Sequence, residues 1–176
     1  MPHSLLMIPV PEAESVVRPR LERQSAESLP SNPDDIAAQI TLLTPFADLD
    51  AIDDGLRAEL RDFFADVVPF PFLLTGLFQF PGGTAYLAPD PATPFRALTH
   101  ELFACFPEFP PYGGEFENVV PHLPIPISDG ESIEQLRFEV GSRLPISAHA
   151  QEAALYWYEP GNSRILERFT FGTAAA

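Results

Sequence analysis

Ala38-Gln39-Ile40-Thr41-Leu42-Leu43 and Pro121-His122-Leu123-Pro124-Ile125 are two short apolar runs, each broken at every second position by a different kind of residue. Side chains along a strand alternate between its faces. Gln39 and Thr41 therefore share one face of the first run, and His122 and Pro124 share one face of the second. Each run reads as a strand that buries one side and offers two residues from the other.

The residues around the runs extend this reading. Thr44-Pro45-Phe46 follows the first, Pro94-Phe95-Arg96-Ala97-Leu98-Thr99 and Pro111-Tyr112-Gly113-Gly114 lie between them, and Val119-Val120 leads into the second. Taken in order, these segments resemble the 2H phosphoesterase superfamily, and most nearly its bacterial branch labelled 2′-5′ RNA ligase or cyclic phosphodiesterase-like. That branch carries two His-x-Thr motifs, the first preceded by a small residue and followed by a leucine pair and Pro-Phe. The resemblance covers essentially the whole chain. It implies an α+β bilobal fold with pseudo-two-fold symmetry: two antiparallel sheets facing a central groove, helices outside, and both motifs at the groove floor. This chain departs from the pattern twice, with Gln39 at the first histidine and Pro124 at the second hydroxyl.

The departures bear directly on chemistry. In an intact pair one imidazole takes a proton from the attacking oxygen while the other protonates the leaving oxygen, each worth roughly 10² to 10⁴ in rate. Histidine suits both tasks because it titrates near neutrality. Gln39 cannot exchange a proton near pH 7, although its amide can hydrogen-bond a substrate. Pro124 has neither a hydroxyl nor a backbone donor. Natural divergence and a substitution made to trap a ligand would both account for Gln39; the second, independent loss at Pro124 favours divergence.

Charge narrows the partners. The chain has ten Arg, no Lys and 25 acidic residues, for a formal net charge of −15. Binding nucleic acid needs cations that displace counterions from phosphates. Arg18, Arg20 and Arg23 form the one basic cluster, and it reads as a solvated helix face. Nucleic acid is therefore not expected as a partner, and a small molecule is. No apolar run approaches the roughly 20 residues that span a bilayer, and Leu5–Ile8 lacks the basic flank of a secretory signal, so no membrane association is expected. The one cysteine, Cys105, leaves no internal disulfide, and cytoplasmic residence is the default.

The rest of the chain interleaves strands and helices in two comparable halves without a linker, so residues 1–176 are expected to form a single domain. Leu5–Val10 suits a strand. Glu12–Gln24 has helical composition that Pro19 should kink or split. Asp50 should cap a helix from Ala51 to about Val67. Phe70–Phe80 alternates as a strand, placed at an edge by Pro71, with Thr84–Ala88 as its hairpin partner. Thr93 and Pro94 open a helix. A short helix near Glu131–Val140 and strands near Ala153–Tyr158 and Arg164–Phe171 complete the chain.

These readings place His122, Gln39 and Thr41 at the catalytic position. From the aromatic set that includes Tyr156 and Tyr158, Tyr86, Tyr112 and Trp157 are the candidate groove walls. Arg168, with Arg164, is the candidate anion contact. No metal cluster, glycine-rich phosphate loop or cofactor motif is visible. The expected function is a diverged member of the superfamily doing proton-transfer chemistry (cyclisation, isomerisation or elimination) on an apolar small molecule, in specialised metabolism. A weakened cyclic or 2′-5′ phosphodiesterase and a non-catalytic ligand-binding module are the alternatives.

Overall fold

The computed structural model describes residues 1–172. In chain order the elements are β1 (His3–Pro9), α1 (Glu14–Gln24), β2 (Gln39–Leu43), α2 (Asp54–Ala65), β3 (Phe70–Gln79), β4 (Ala85–Asp90), α3 (Thr93–Cys105), β5 (Leu123–Ile125), α4 (Ile133–Gly141), β6 (Ile146–Ala150), β7 (Glu152–Tyr158) and β8 (Arg164–Thr170), with short 3-10 turns between some of them. Two four-stranded antiparallel sheets result, ordered β2-β1-β7-β8 and β5-β4-β3-β6. The strand bearing each sequence motif is the edge of its sheet, and the two sheets repeat the same plan: motif strand, partner, third strand, outer strand.

β1 shows how the core is divided. Leu6 and Ile8 point into the main core, which also takes Ile40, Leu42, Leu74, Leu87, Leu123 and Leu155 and so draws on both sheets. Leu5 and Met7, on the other face, join Ala154 and Tyr156 in a smaller cluster. A strand buried on both faces loses the alternation that marks a half-buried one. Phe95 of α3 meets Phe70 and Phe72 of β3 edge-on, and Phe64 of α2 stacks on Phe169 of β8.

Several local expectations are corrected. The cap of α2 is Asp53, whose carboxylate accepts from the Leu56 amide at 2.8 Å; Leu49–Ala51 is a separate 3-10 turn. Pro71 does not put β3 at an edge, because β3 lies between β4 and β6. The β4 ladder ends at Leu73, so at Pro71 only β6 flanks the strand and no central ladder bond is lost. Pro19 neither kinks nor splits α1. Having no amide, it leaves the Ser15 carbonyl without its helical partner, and the Arg143 guanidinium donates to that oxygen at 3.2 Å. β6 has no counterpart among the expected strands.

Of the basic cluster on α1, Arg23 is exposed, but Arg18 and Arg20 do not lie on a solvated face. Arg20 is 2% exposed and donates to Glu131, to Glu139 and to the Pro126 carbonyl. Arg18 pairs with Glu14 and donates to the Asp35 carbonyl. On the same helix the Glu14 carboxylate accepts from the Ala37 and Ala38 amides at 2.8 to 3.0 Å. One helix thus holds the entry to β2 and the exit from β5. Removing one partner of a buried ion pair costs about 3–5 kcal/mol, and the exposure of Glu139 places Arg20→Ala at the lower end. We expect urea unfolding to show a loss of about 3 kcal/mol for Arg20→Ala, against under about 1 kcal/mol for Arg137→Ala, whose ion pair with Glu134 is exposed.

Candidate functional site

The register of β2 fixes which way its polar side chains point. Thr41 lies opposite Met7 and Gln39 opposite Pro9, whereas Ile40 lies opposite Ile8. Residues directly opposite in an antiparallel pair share a face. Thr41 is therefore on the side of Met7 and Tyr156, away from the main core, and Gln39 is on that side too. In the other sheet Leu123 and Ile125 enter the main core and Pro124 stands opposite Tyr86 on the outer face. Gln39, Pro124, Pro126, Tyr156 and Tyr158 line one cleft of about 170 Å³ between the sheets. The two altered motif positions thus face a common space, each from the edge of its own sheet.

His122 sits just before β5, on the same face as Pro124 and Tyr86. Its ring meets Phe80 edge-on at 5.0 Å and Tyr86 at 5.7 Å, while Phe80 and Tyr86 stack at 4.2 Å. Nδ1 lies 2.7 Å from the Val120 carbonyl oxygen. A carbonyl only accepts, so Nδ1 carries the proton and, in the neutral ring, Nε2 holds the lone pair. Burial among the aromatic rings lowers the pKa from the ordinary 6.5, and the Val120 hydrogen bond opposes this only in part. The ring is thus biased towards its neutral, basic form. Tyr156, which lines the cleft, is pushed up to about 12, chiefly by burial, and remains a neutral phenol.

The remaining candidates divide. Tyr86 lies beside His122. Trp157 does not reach the groove: Tyr156 and Tyr158 take the groove face of β7, so Trp157 between them points the other way, lies opposite Ser4 and donates to Glu159. Every residue from Ala153 to Trp157 is buried, so only the pairing with β1 tells the two parities apart. Tyr112 stands at the end of β2, its amide donating to the Thr44 carbonyl and its ring against Phe116, and it is not part of the cleft lining. Arg168 is opposite Ala154 on the groove side, but its guanidinium is engaged by Glu152 at 2.9 Å and by Asp35 at 2.8 Å. Among the described residues, no cationic side chain lines the cleft. Tyr156 and Tyr158, which line the cleft, were in the aromatic set but not among its three chosen walls, and Phe80, against the His122 ring, was not singled out; the Phe78–Phe80 alternation next to Tyr86 was the available signal for it.

A model of the 2′-5′ RNA ligase superfamily matches residues 9–162. The chain belongs to this superfamily. Solved structures share its fold: TT0787 of Thermus thermophilus has 17% identity and a TM-score of 0.62 over 99% of this chain and 100% of that one. A phosphoesterase has 15% and 0.59 over 98% and 99%, and Escherichia coli LigT complexed with NADP+ has 16% and 0.58 over 97% of each. At such identities the likeness is one of fold. No protein of curated function matches the chain. No helix among the described residues is long and apolar enough to cross a membrane.

Within the superfamily fold, the depressed pKa of His122 has a consequence for stability. Between the folded pKa and the unfolded value near 6.5, the unfolded chain binds more protons than the native one, so stability rises with pH through this window. It is lost as pH falls from about 6.5 through the folded pKa. We expect denaturant midpoints of the wild-type protein to drop over this range more steeply than those of His122→Phe, and the His122 ring protons to titrate below 6.5 by NMR.

Proposed function

We propose that this protein is a diverged 2H-type enzyme in which His122 acts alone as a general base on a small, largely apolar substrate. The observation that carries the reading is the hydrogen bond from His122 Nδ1 to the Val120 carbonyl, which leaves Nε2 as acceptor in an aromatic, partly desolvated surround. Gln39 and Thr41 offer an amide and a hydroxyl on the groove face of β2, Tyr156 lines the cleft, and Tyr86 packs against the His122 ring. Ligand sites generally combine such walls with a few placed polar groups. Cyclisation, isomerisation and elimination each run with one group that removes a proton and later returns it. Specialised metabolism is the context such chemistry fits.

Charge supports this over phosphodiester hydrolysis. The chain carries a formal net charge of −15, Arg168 is neutralised by two carboxylates, and the two altered motif positions take away one proton carrier and one hydroxyl. We expect His122→Ala to lower kcat/KM for the physiological substrate by about 10² to 10⁴ with little change in unfolding midpoint. The base works in its neutral form, so kcat/KM should rise with pH through a single inflection below 6.5 and level off above it. Full turnover by His122→Ala would overturn the reading in favour of a ligand-binding module.

The phosphodiesterase alternative has its own test. Gln39 and Pro124 line the same cleft, so Gln39→His combined with Pro124→Thr rebuilds both motifs around it. We expect the wild type to show negligible hydrolysis of 2′,3′-cyclic nucleotides and 2′-5′ linked dinucleotides, and the double variant to gain measurable activity. Robust hydrolysis by the wild type would reinstate phosphoesterase chemistry as its function.

A further inference from the structure

Arg96 and His100, one helical turn apart on α3, line a groove of about 710 Å³ between that helix and the chain that leads to β5. This volume falls within the roughly 300–1,000 Å³ of small-molecule pockets. Phe103, Phe116 and Val120 line the same groove, and they are 37%, 55% and 40% exposed. Large apolar side chains left open together in one concavity mark a binding surface more often than does a single exposed residue.

The groove also holds a cation without a carboxylate partner. Of the ten arginines, Arg18, Arg20, Arg57, Arg61, Arg137, Arg164 and Arg168 pair with carboxylates. Arg23, Arg96 and Arg143 have no such partner among the described residues, and of these three Arg96 lines the groove, with Glu117 in the same lining. A guanidinium offers a planar fork of donors that matches a carboxylate. With one guanidinium, a neighbouring glutamate and a strongly acidic chain, the charge suits a monoanion and disfavours a phosphate dianion.

We propose that this groove binds an amphipathic monocarboxylate of the aryl-alkyl type, its carboxylate on Arg96 and its ring against Phe103 and Phe116. The site is separate from the Gln39–Pro124 cleft, and its existence does not rest on His122 being a base. The two are nonetheless joined through Val120, which lines the groove and whose carbonyl holds His122 Nδ1. A ligand here touches the residue that sets the His122 tautomer.

Calorimetry on the full chain with 4-phenylbutyrate, combined with backbone amide shift mapping, tests the proposal. The expected result is one-site binding that shifts the amides around Phe103, Phe116 and Val120. Arg96→Gln should weaken it about tenfold or more, in line with the loss of a charge-assisted hydrogen bond. Phe116→Ala should weaken it as well, and 4-phenylbutanol should bind the wild type correspondingly less well. His122→Ala should still bind 4-phenylbutyrate at one site, its affinity altered only through the lost hydrogen bond to the Val120 carbonyl, which separates this site from the proton-transfer reading. The proposal is overturned by absence of binding, by equal affinity in Arg96→Gln, by shifts centred on Tyr156 and Tyr158, or by tighter binding of phenyl phosphate than of the carboxylate.

Discussion

The carboxylate and guanidinium groups of α1 are the constraint on which the geometry of the groove depends. Glu14 holds the Ala37 and Ala38 amides immediately before Gln39, and Arg20 holds the Pro126 carbonyl immediately after β5, along with Glu131 and, on α4, Glu139. Neither β2 nor β5 has a strand on its groove edge, so hydrogen bonding within the sheets cannot set their separation. The core shared by the two sheets and a single helix contacting both ends do. Arg20 suits this role because its several donors reach three acceptors at once from a side chain almost wholly out of water, where an unmet donor would be costly.

The groove-facing motif positions are only loosely coupled to this framework. Ile40, Leu42, Leu123 and Ile125 supply the burial that fixes β2 and β5, while Gln39, Thr41 and Pro124 alternate with them on the groove side. Exchanging a groove-facing side chain leaves the apolar rungs intact. This explains how a chain can keep the superfamily's fold over residues 9–162 while two of its four motif positions differ. It also explains why likeness of fold says little about chemistry here.

The sequence was most legible where burial is one-sided. Period-two spacing placed β2 and β3, the turn after β3 placed β4 as its hairpin partner, and helical spacing placed α2 and α3. It was least legible where both faces are buried or where the partner is distant. In β7 an unbroken apolar run hid whether Tyr156 or Trp157 faces the groove. On α1 Arg20 looked like part of a wet surface because its acceptors, Glu131 and Glu139, lie more than a hundred positions away. Arg168 failed as an anion contact for a similar reason: Asp35, from the segment that leads into β2, comes to rest against it. His122 was singled out through its motif, but its tautomer is set by the Val120 carbonyl, a backbone detail that no residue type announces.

Pro124 bears on more than phosphate chemistry. An edge strand with free amides is a template on which another strand can add, and β5 is such an edge, facing the groove. Proline is accommodated in a ladder only where its missing amide would point away from the neighbouring strand. At Pro124 that direction is the open side, away from β4. The donor that an incoming peptide would need at the centre of this short strand is therefore absent. The two sheets cannot zip together across the groove, nor can a segment of another polypeptide extend β5 into it. The gap stays open to molecules that bind through side chains, and closed to recognition by added strands.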